Sequence, residues 1–199
     1  MKTQVVIIHG GDTFPNYESY LNFLKNFDID LERYKSEKKD WKPTLGQKLG
    51  GEYEVFLPAM PNKTNAVYSE WRLWFEKILE KLGPEVILVG HSLGASFLIK
   101  YLSENKISKS IKSVHLVSGV FDKDDDGLEL CSFALPEIFD LQTKNVFLYH
   151  SEDDPVVPFS AMENIAKNVP GSVKRVFNDR KHMNMEDFPE LINDIISDK

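Results

Sequence analysis

Apolar positions along the chain fall into two rhythms. Short aliphatic runs recur at Val5-Val6-Ile7-Ile8, Tyr53-Glu54-Val55-Phe56-Leu57, Val86-Ile87-Leu88-Val89, residues 113–118, residues 145–150 and residues 173–177. Runs this short, and unbroken by polar positions in the first and third cases, read as strands covered on both faces. Between them the spacing lengthens to three and four residues. A helix over about 16–27 would turn Tyr20, Leu21, Leu24 and Phe27 inward. A shorter one follows Asp40, a capping residue, with Trp41, Leu45 and Leu49 on one face and Gly50-Gly51 to end it. The longest stripe is Val67, Trp71, Trp74, Phe75, Ile78, Leu79 and Leu82, capped by Thr64 or Asn65 and stopped by Gly83-Pro84. Further helices are expected over about 159–168 and from about Asp187, the latter with Phe188, Leu191, Ile192, Ile195 and Ile196 inward. Strands alternating with helices predict a parallel sheet with helices on both faces. With no repeat, low-complexity segment or linker, one domain over residues 1–199 is expected.

The junction of the third strand and the helix after it carries the chemistry. Val86-Ile87-Leu88-Val89 runs into Gly90-His91-Ser92-Leu93-Gly94 and leaves as Ala95-Ser96-Phe97-Leu98. A strand, a sharp turn and a helix with serine at the apex is the context that G-x-S-x-G requires. Glycine on either side lets the backbones pass closely, and the serine hydroxyl is pushed out at the carboxyl end of the sheet. Ser92 is therefore the candidate nucleophile.

A base and an acid follow in chain order. The fifth strand ends in Ser151-Glu152-Asp153-Asp154-Pro155-Val156-Val157-Pro158, and the sixth is followed by Asn178-Asp179-Arg180-Lys181-His182. Serine, acid, histidine is the order of α/β-hydrolases. His182 would take the Ser92 proton and return it to the leaving group, while a carboxylate fixes its tautomer. Glu152, Asp153 and Asp154 compete for that third role. The oxyanion hole is expected from the backbone N–H of Leu93 and one from His9-Gly10-Gly11-Asp12, with Gly11 first and Asp12 second.

Charge and cysteine content narrow the setting. A net charge of −7 speaks against nucleic acid and anionic membrane as partners. One cysteine, Cys131, permits no internal disulfide. The early apolar run is too short for a signal-peptide core, and a cytoplasmic protein is expected. No cofactor motif is present. Asp122-Lys123-Asp124-Asp125-Asp126-Gly127 imitates half an EF-hand loop, but Phe133 stands where a bidentate glutamate is needed. It reads as an exposed acidic loop, and no metal is expected.

Taken together, these residues resemble the compact serine hydrolases of the retinoblastoma-binding protein 9 and YdeN type. The resemblance spans nearly the whole chain. It is carried by His9-Gly10-Gly11, by Pro58-Ala59-Met60-Pro61-Asn62 with Trp71, by Gly90-His91-Ser92-Leu93-Gly94, by the Asp153–Pro158 turn, and by His182. It implies a compact α/β-hydrolase, a three-layer sandwich of about six mostly parallel strands with minimal or no cap. It also implies carboxylesterase-like activity on a small ester or thioester. In such enzymes the acid usually stands four residues before the proline of an Asp-x-x-Val-Pro turn, which selects Asp154 over Asp153. One departure is Lys181, where glycine usually precedes the base. The substrate's acyl acceptor, water or another nucleophile, is left open, as is a protein partner. A non-catalytic binding module is the competing class.

The remaining singled-out side chains read as structural. His91, His115 and His150 are expected to pack, and Trp71 and Trp74 to lie in the core. Met183 and Met185 either line an acyl pocket or fill a gap. Residues 121–144 could form at most a small lid, so the site should be open or shallow.

Overall fold

A computed structural model describes residues 2–35, 40–121 and 129–197. The acidic run at 122–127 and part of the charged run after Glu32 lie outside them. Six parallel strands are present: β1 (Thr3–Ile8), β2 (Tyr53–Phe56), β3 (Glu85–His91), β4 (Ser110–Val117), β5 (Val146–Ser151) and β6 (Val173–Phe177). They are ordered β2-β1-β3-β4-β5-β6. The helices are α1 (Tyr17–Asn26), α2 (Trp41–Leu49), α3 (Tyr68–Lys81), α4 (Leu93–Glu104), α5 (Phe159–Asn168) and α6 (Pro189–Ser197).

Strand residues alternate between two cores, as the pleat demands. Val6, Ile8, Val86, Leu88, Val114, Leu116, Val146 and Leu148 pack with α3, α4 and α5. Val5, Ile7, Ile87, Val89, Val117 and Tyr149 pack with α2 and α6. The central strands β1 and β3 are thus apolar on both faces, which is why their sequences lack alternation. The chain goes from β1 outward to β2, then returns to β3 on β1's other side. Open parallel sheets bind ligands at such a reversal, outside the carboxyl ends of the strands.

The second core holds a sealed polar chain. The Ser113 hydroxyl donates to His115 Nε2 at 3.0 Å, and His115 Nδ1–H to the Tyr149 hydroxyl at 2.9 Å. Tyr149 donates in turn to Asp194 Oδ2 at 2.9 Å. Arg175 closes the chain with two bonds to the same carboxylate. Donor directions follow because Asp194 can only accept. Burial drives the His115 imidazole down to about 3, against the pull of Asp194. This chain ties β4, β5 and β6 to α6.

Several sequence expectations need correction. Helix α1 forms where its spacing predicts, with Asn16 as its N-cap, yet it buries none of its residues. Leu21, Leu24 and Phe27 are exposed, so the stripe does not face a core. Neither Thr64 nor Asn65 caps α3; the N-cap is Val67, without a side-chain bond. The segment before it is used otherwise, as a turn that pairs with the loop after β1. Asp12 N–H donates to the Lys63 carbonyl, Ala66 N–H to the Asp12 carbonyl, and Thr13 Oγ1 to the Ala66 carbonyl. Trp71 is fully buried, but Trp74 is 46% exposed, one residue outside the arc that α3 presents to the sheet. Ile196 is also exposed, and Phe188 is buried just ahead of α6.

Candidate active site

The elbow after β3 is strained as the motif requires. Ser92 has φ 55° and ψ −125°, the left-handed region that side chains avoid. Its N–H is held by the Val117 carbonyl at 2.8 Å. A Cβ on Gly90 would sit 2.6 Å from Ala95 Cα, and one on Gly94 would collide with the Ile8 carbonyl oxygen. Only glycine lets α4 start this close to β1 and β3. Gly10 stands against the serine itself: a Cβ there would lie 2.9 Å from Ser92 Cβ.

Ser92 and His182 line one cleft of about 600 Å³, together with Gly10, Gly11 and Leu93. Behind the histidine lies Asp154. Its Oδ2 is 2.8 Å from His182 Nδ1, and its side chain is wholly buried. Burial pushes the Asp154 carboxyl upward, but bonds from His182 and from the N–H groups of Val157 and Val156 outweigh it and hold it below the ordinary range. A carboxylate fixed this way keeps the proton of His182 on Nδ1, which leaves Nε2 to accept.

The neighbouring acids do other things. Asp153 accepts from the Ser151 hydroxyl and from the Lys181 N–H, fastening the loop that carries the histidine. These bonds, the Ser151 hydroxyl's first, draw its carboxyl down. Glu152 donates its backbone N–H to Phe177 at the sheet edge and is exposed.

His9 fixes the backbone where the oxyanion donors are expected. Its Nε2 accepts from Met60 N–H at 2.9 Å, so its proton sits on Nδ1 and donates to the Gly10 carbonyl at 2.6 Å. Burial lowers the pKa of this ring and keeps it neutral. With every peptide among the described residues trans, the Gly11 N–H points opposite to that carbonyl. Asp12, the second candidate, has its N–H committed to Lys63 and is not available. Leu93 is the first residue of α4, where an N–H has no intrahelical acceptor.

The loop around His182 is unusual. Lys181 and Met183 both have positive φ, 50° and 53°. Lysine thus adopts the backbone that the expected glycine would take freely. The cost is met by a clamp from α2 and the elbow. Trp41 donates its N–H to the Met185 carbonyl and its indole N–H to the Met183 carbonyl, each at 2.9 Å. Lys42 reaches Asn184 Oδ1, and His91 Nε2–H donates to the His182 carbonyl at 2.9 Å. His91 therefore does more than pack.

The serine hydrolase family profile matches residues 33–189, most of the chain. The chain belongs to the serine hydrolase family. YdeN of Bacillus subtilis (strain 168) is 25% identical over 162 residues, 78% of this chain and 85% of YdeN. The crystal structure of the B. subtilis ydeN gene product superposes with a TM-score of 0.75 at 21% identity, over 99% of this chain and 98% of that one. An esterase from Exiguobacterium antarcticum shares the fold at a TM-score of 0.60 and 17% identity, over 98% and 91% of the two chains.

Three features of this serine hydrolase's site escaped the sequence reading. Phe14 and Phe23 line the cleft, the second from α1. Asp40, Lys42 and Asn184 line it as well, and Lys42 is buried against Asp40 with bonds of 2.9 and 3.0 Å. The third feature is the clamp on the histidine loop. Asp40 was visible as a helix cap and Phe14 as a near neighbour of the glycine pair, but neither spacing says what it faces. Met183 is fully buried and Met185 packs beside it in the second core, so both are gap-fillers. Among the described residues no cluster of acids, histidines and cysteines could hold a metal, and no helix is long and apolar enough to cross a membrane.

Proposed function

We propose that this serine hydrolase is a carboxylesterase-like enzyme that cleaves a small ester or thioester through an acyl-enzyme on Ser92. The observation that carries the reading is the strained serine sharing a cleft with a histidine whose far nitrogen is bound to a buried carboxylate. Ser92 Oγ attacks the substrate carbonyl carbon as its proton passes to His182 Nε2. Asp154 stabilises the imidazolium that results. The N–H groups of Gly11 and Leu93 receive the charge developing on the carbonyl oxygen. When the intermediate collapses, the bond from carbon to the leaving oxygen or sulfur breaks and His182 supplies its proton. Water, deprotonated by the same nitrogen, then adds to the acyl carbon and releases the acid and free Ser92.

The test is direct. A fluorophosphonate should label the protein once, at Ser92, and Ser92→Ala should abolish both labelling and hydrolysis of an activated ester. Turnover of the ester series by Ser92→Ala at the wild-type rate would refute the reading.

A further inference from the structure

The cleft around Ser92 is lined differently on its two sides. Asp40, Lys42 and Asn184 enter from the α2 and α6 face, joined to one another through the Lys42 ammonium. Val120 and Leu130 enter from the opposite face, where they belong to the α3–α4–α5 core. Phe14 and Phe23 add an aromatic wall, their rings 5.1 Å apart. Phe27 and Tyr20 extend that wall at 5.2 Å from Phe23 and 5.4 Å from Phe14. The helix presenting it is α1, which buries nothing and leaves Leu24 and Phe27 about half exposed. Apolar surface of this kind is unfavourable in water and gains free energy when covered. Phe14 follows Gly11 by a few residues, so the wall begins beside the atoms that would hold a substrate carbonyl.

We infer that Phe14 and Phe23, with Val120 and Leu130, form an acyl-binding wall, and that the substrates are esters or thioesters of apolar acids of medium chain length. This rests on the esterase reading above. The leaving group must face His182 Nε2 to receive its proton, and Asn184 and Lys42 flank the histidine loop on that side. The acyl group takes the remaining direction, away from the charged pair, where the apolar residues stand. A cleft of about 600 Å³ has room for both halves of an ester at once. An acyl chain along α1 is also the occupant that is continuous with the site, which accounts for an apolar stripe left unpacked next to it.

The experiment is an acyl series, acetyl to octanoyl, on one activated leaving group. In the wild type kcat/KM should rise by roughly three- to fourfold per methylene until the wall is covered. Phe23→Ala should lower kcat/KM for the hexanoyl ester by roughly tenfold and for the acetyl ester by less than about twofold. Phe23→Trp, which fills the wall, should shift the preferred chain to a shorter one. Both variants should stay folded with at most a small fall in Tm, since Phe23 is only half-buried and packs on Phe14 and Phe27 outside the two cores. Fluorophosphonate labelling of Ser92 reads the catalytic centre separately. A flat acyl series, or equal losses for both esters with labelling intact, overturns the acyl wall and leaves the esterase standing. A wild type that neither labels at Ser92 nor turns over any ester overturns the esterase reading and the wall with it.

Discussion

Ser92, His182 and Asp154 at the mouth of the sheet, and Ser113, His115, Tyr149 and Asp194 beneath it, are built from nearly the same side chains. In the second a line of hydrogen bonds runs from serine to a buried carboxylate, and in the first the histidine is bonded to one. They differ in backbone and access. Ser92 sits in a left-handed elbow and lines a cleft; Ser113 and His115 lie within β4 with no exposed surface. In the sealed chain each link is made within the protein, and Arg175 pairs the terminal charge. In the open one, Ser92, His182 and Gly11 line a cleft that a substrate can fill. The same residue types are thus a fastening in one place and a candidate catalyst in the other, and what separates them is a strained turn and a route to solvent.

The sharpest way to break this comparison is to remove each serine. Ser92→Ala should fold normally and lose ester hydrolysis by roughly 10⁴–10⁶-fold. Ser113→Ala should leave kcat within about twofold and cost about 1 kcal/mol, read by denaturant unfolding. Comparable activity losses in the two variants would make the distinction untenable.

Next come the acids. Asp154→Asn should lower kcat by roughly 10²–10⁴-fold, since His182 loses its orienting charge. Asp153→Asn should do much less, because it weakens a loop contact and touches no ring. Asp194→Asn should leave kcat near wild type and destabilise the fold by about 2 kcal/mol, because the buried Tyr149 hydroxyl loses a charged acceptor. A steady-state assay beside a urea titration separates the three, and a large kcat effect from Asp194→Asn would link the two chains after all.

Acid sharpens the contrast further. The folded His115 is depressed to about 3, against an ordinary value of ~6.5 for the unfolded chain. Below ~6.5 the unfolded state takes up a proton that the folded state refuses. Stability is therefore fully present above that pH and drains as pH falls toward 3, by up to roughly 5 kcal/mol from this group. His115→Gln, though less stable at neutral pH, should show a shallower acid slope. Identical slopes in the two proteins would contradict the assignment.

The smallest effect concerns the loop. Lys181→Gly removes a left-handed lysine and keeps the N–H that Asp153 accepts from, so it should raise stability by about 1 kcal/mol with little change in kcat. A loss of stability would show that the lysine side chain contributes more than its backbone costs.

Local features were the readable ones. β3, the elbow and α4 form one continuous stretch whose hydrophobicity and glycines announce the geometry, and the strands of both cores follow from their aliphatic runs. Periodicity revealed that α1 and α3 are helices but not what each face meets, so Phe27 and Trp74 were placed inward and are exposed. Asp153 and Asp154 are adjacent, and their division of labour depends on a loop that returns much later in the chain. His91 and Trp41 act on that same loop through backbone carbonyls, an interaction with no signature in residue type. Lys181 was visible as a departure, and its positive φ explains what the missing glycine would have supplied.

The parallel topology has a consequence for the order of assembly. Gln4 pairs with Val86, so β1 waits for β3 before its inner edge is satisfied. His182 comes later still, after β6, and its loop is gripped by α2 from the first third of the chain. Contacts this distant in sequence make folding slow compared with a helical bundle of equal size. They also mean that a nascent or truncated chain ending before His182 could form the elbow and expose Ser92 without a base to activate it. On the proposed esterase reading, Ser92 would gain its base only when the last elements dock.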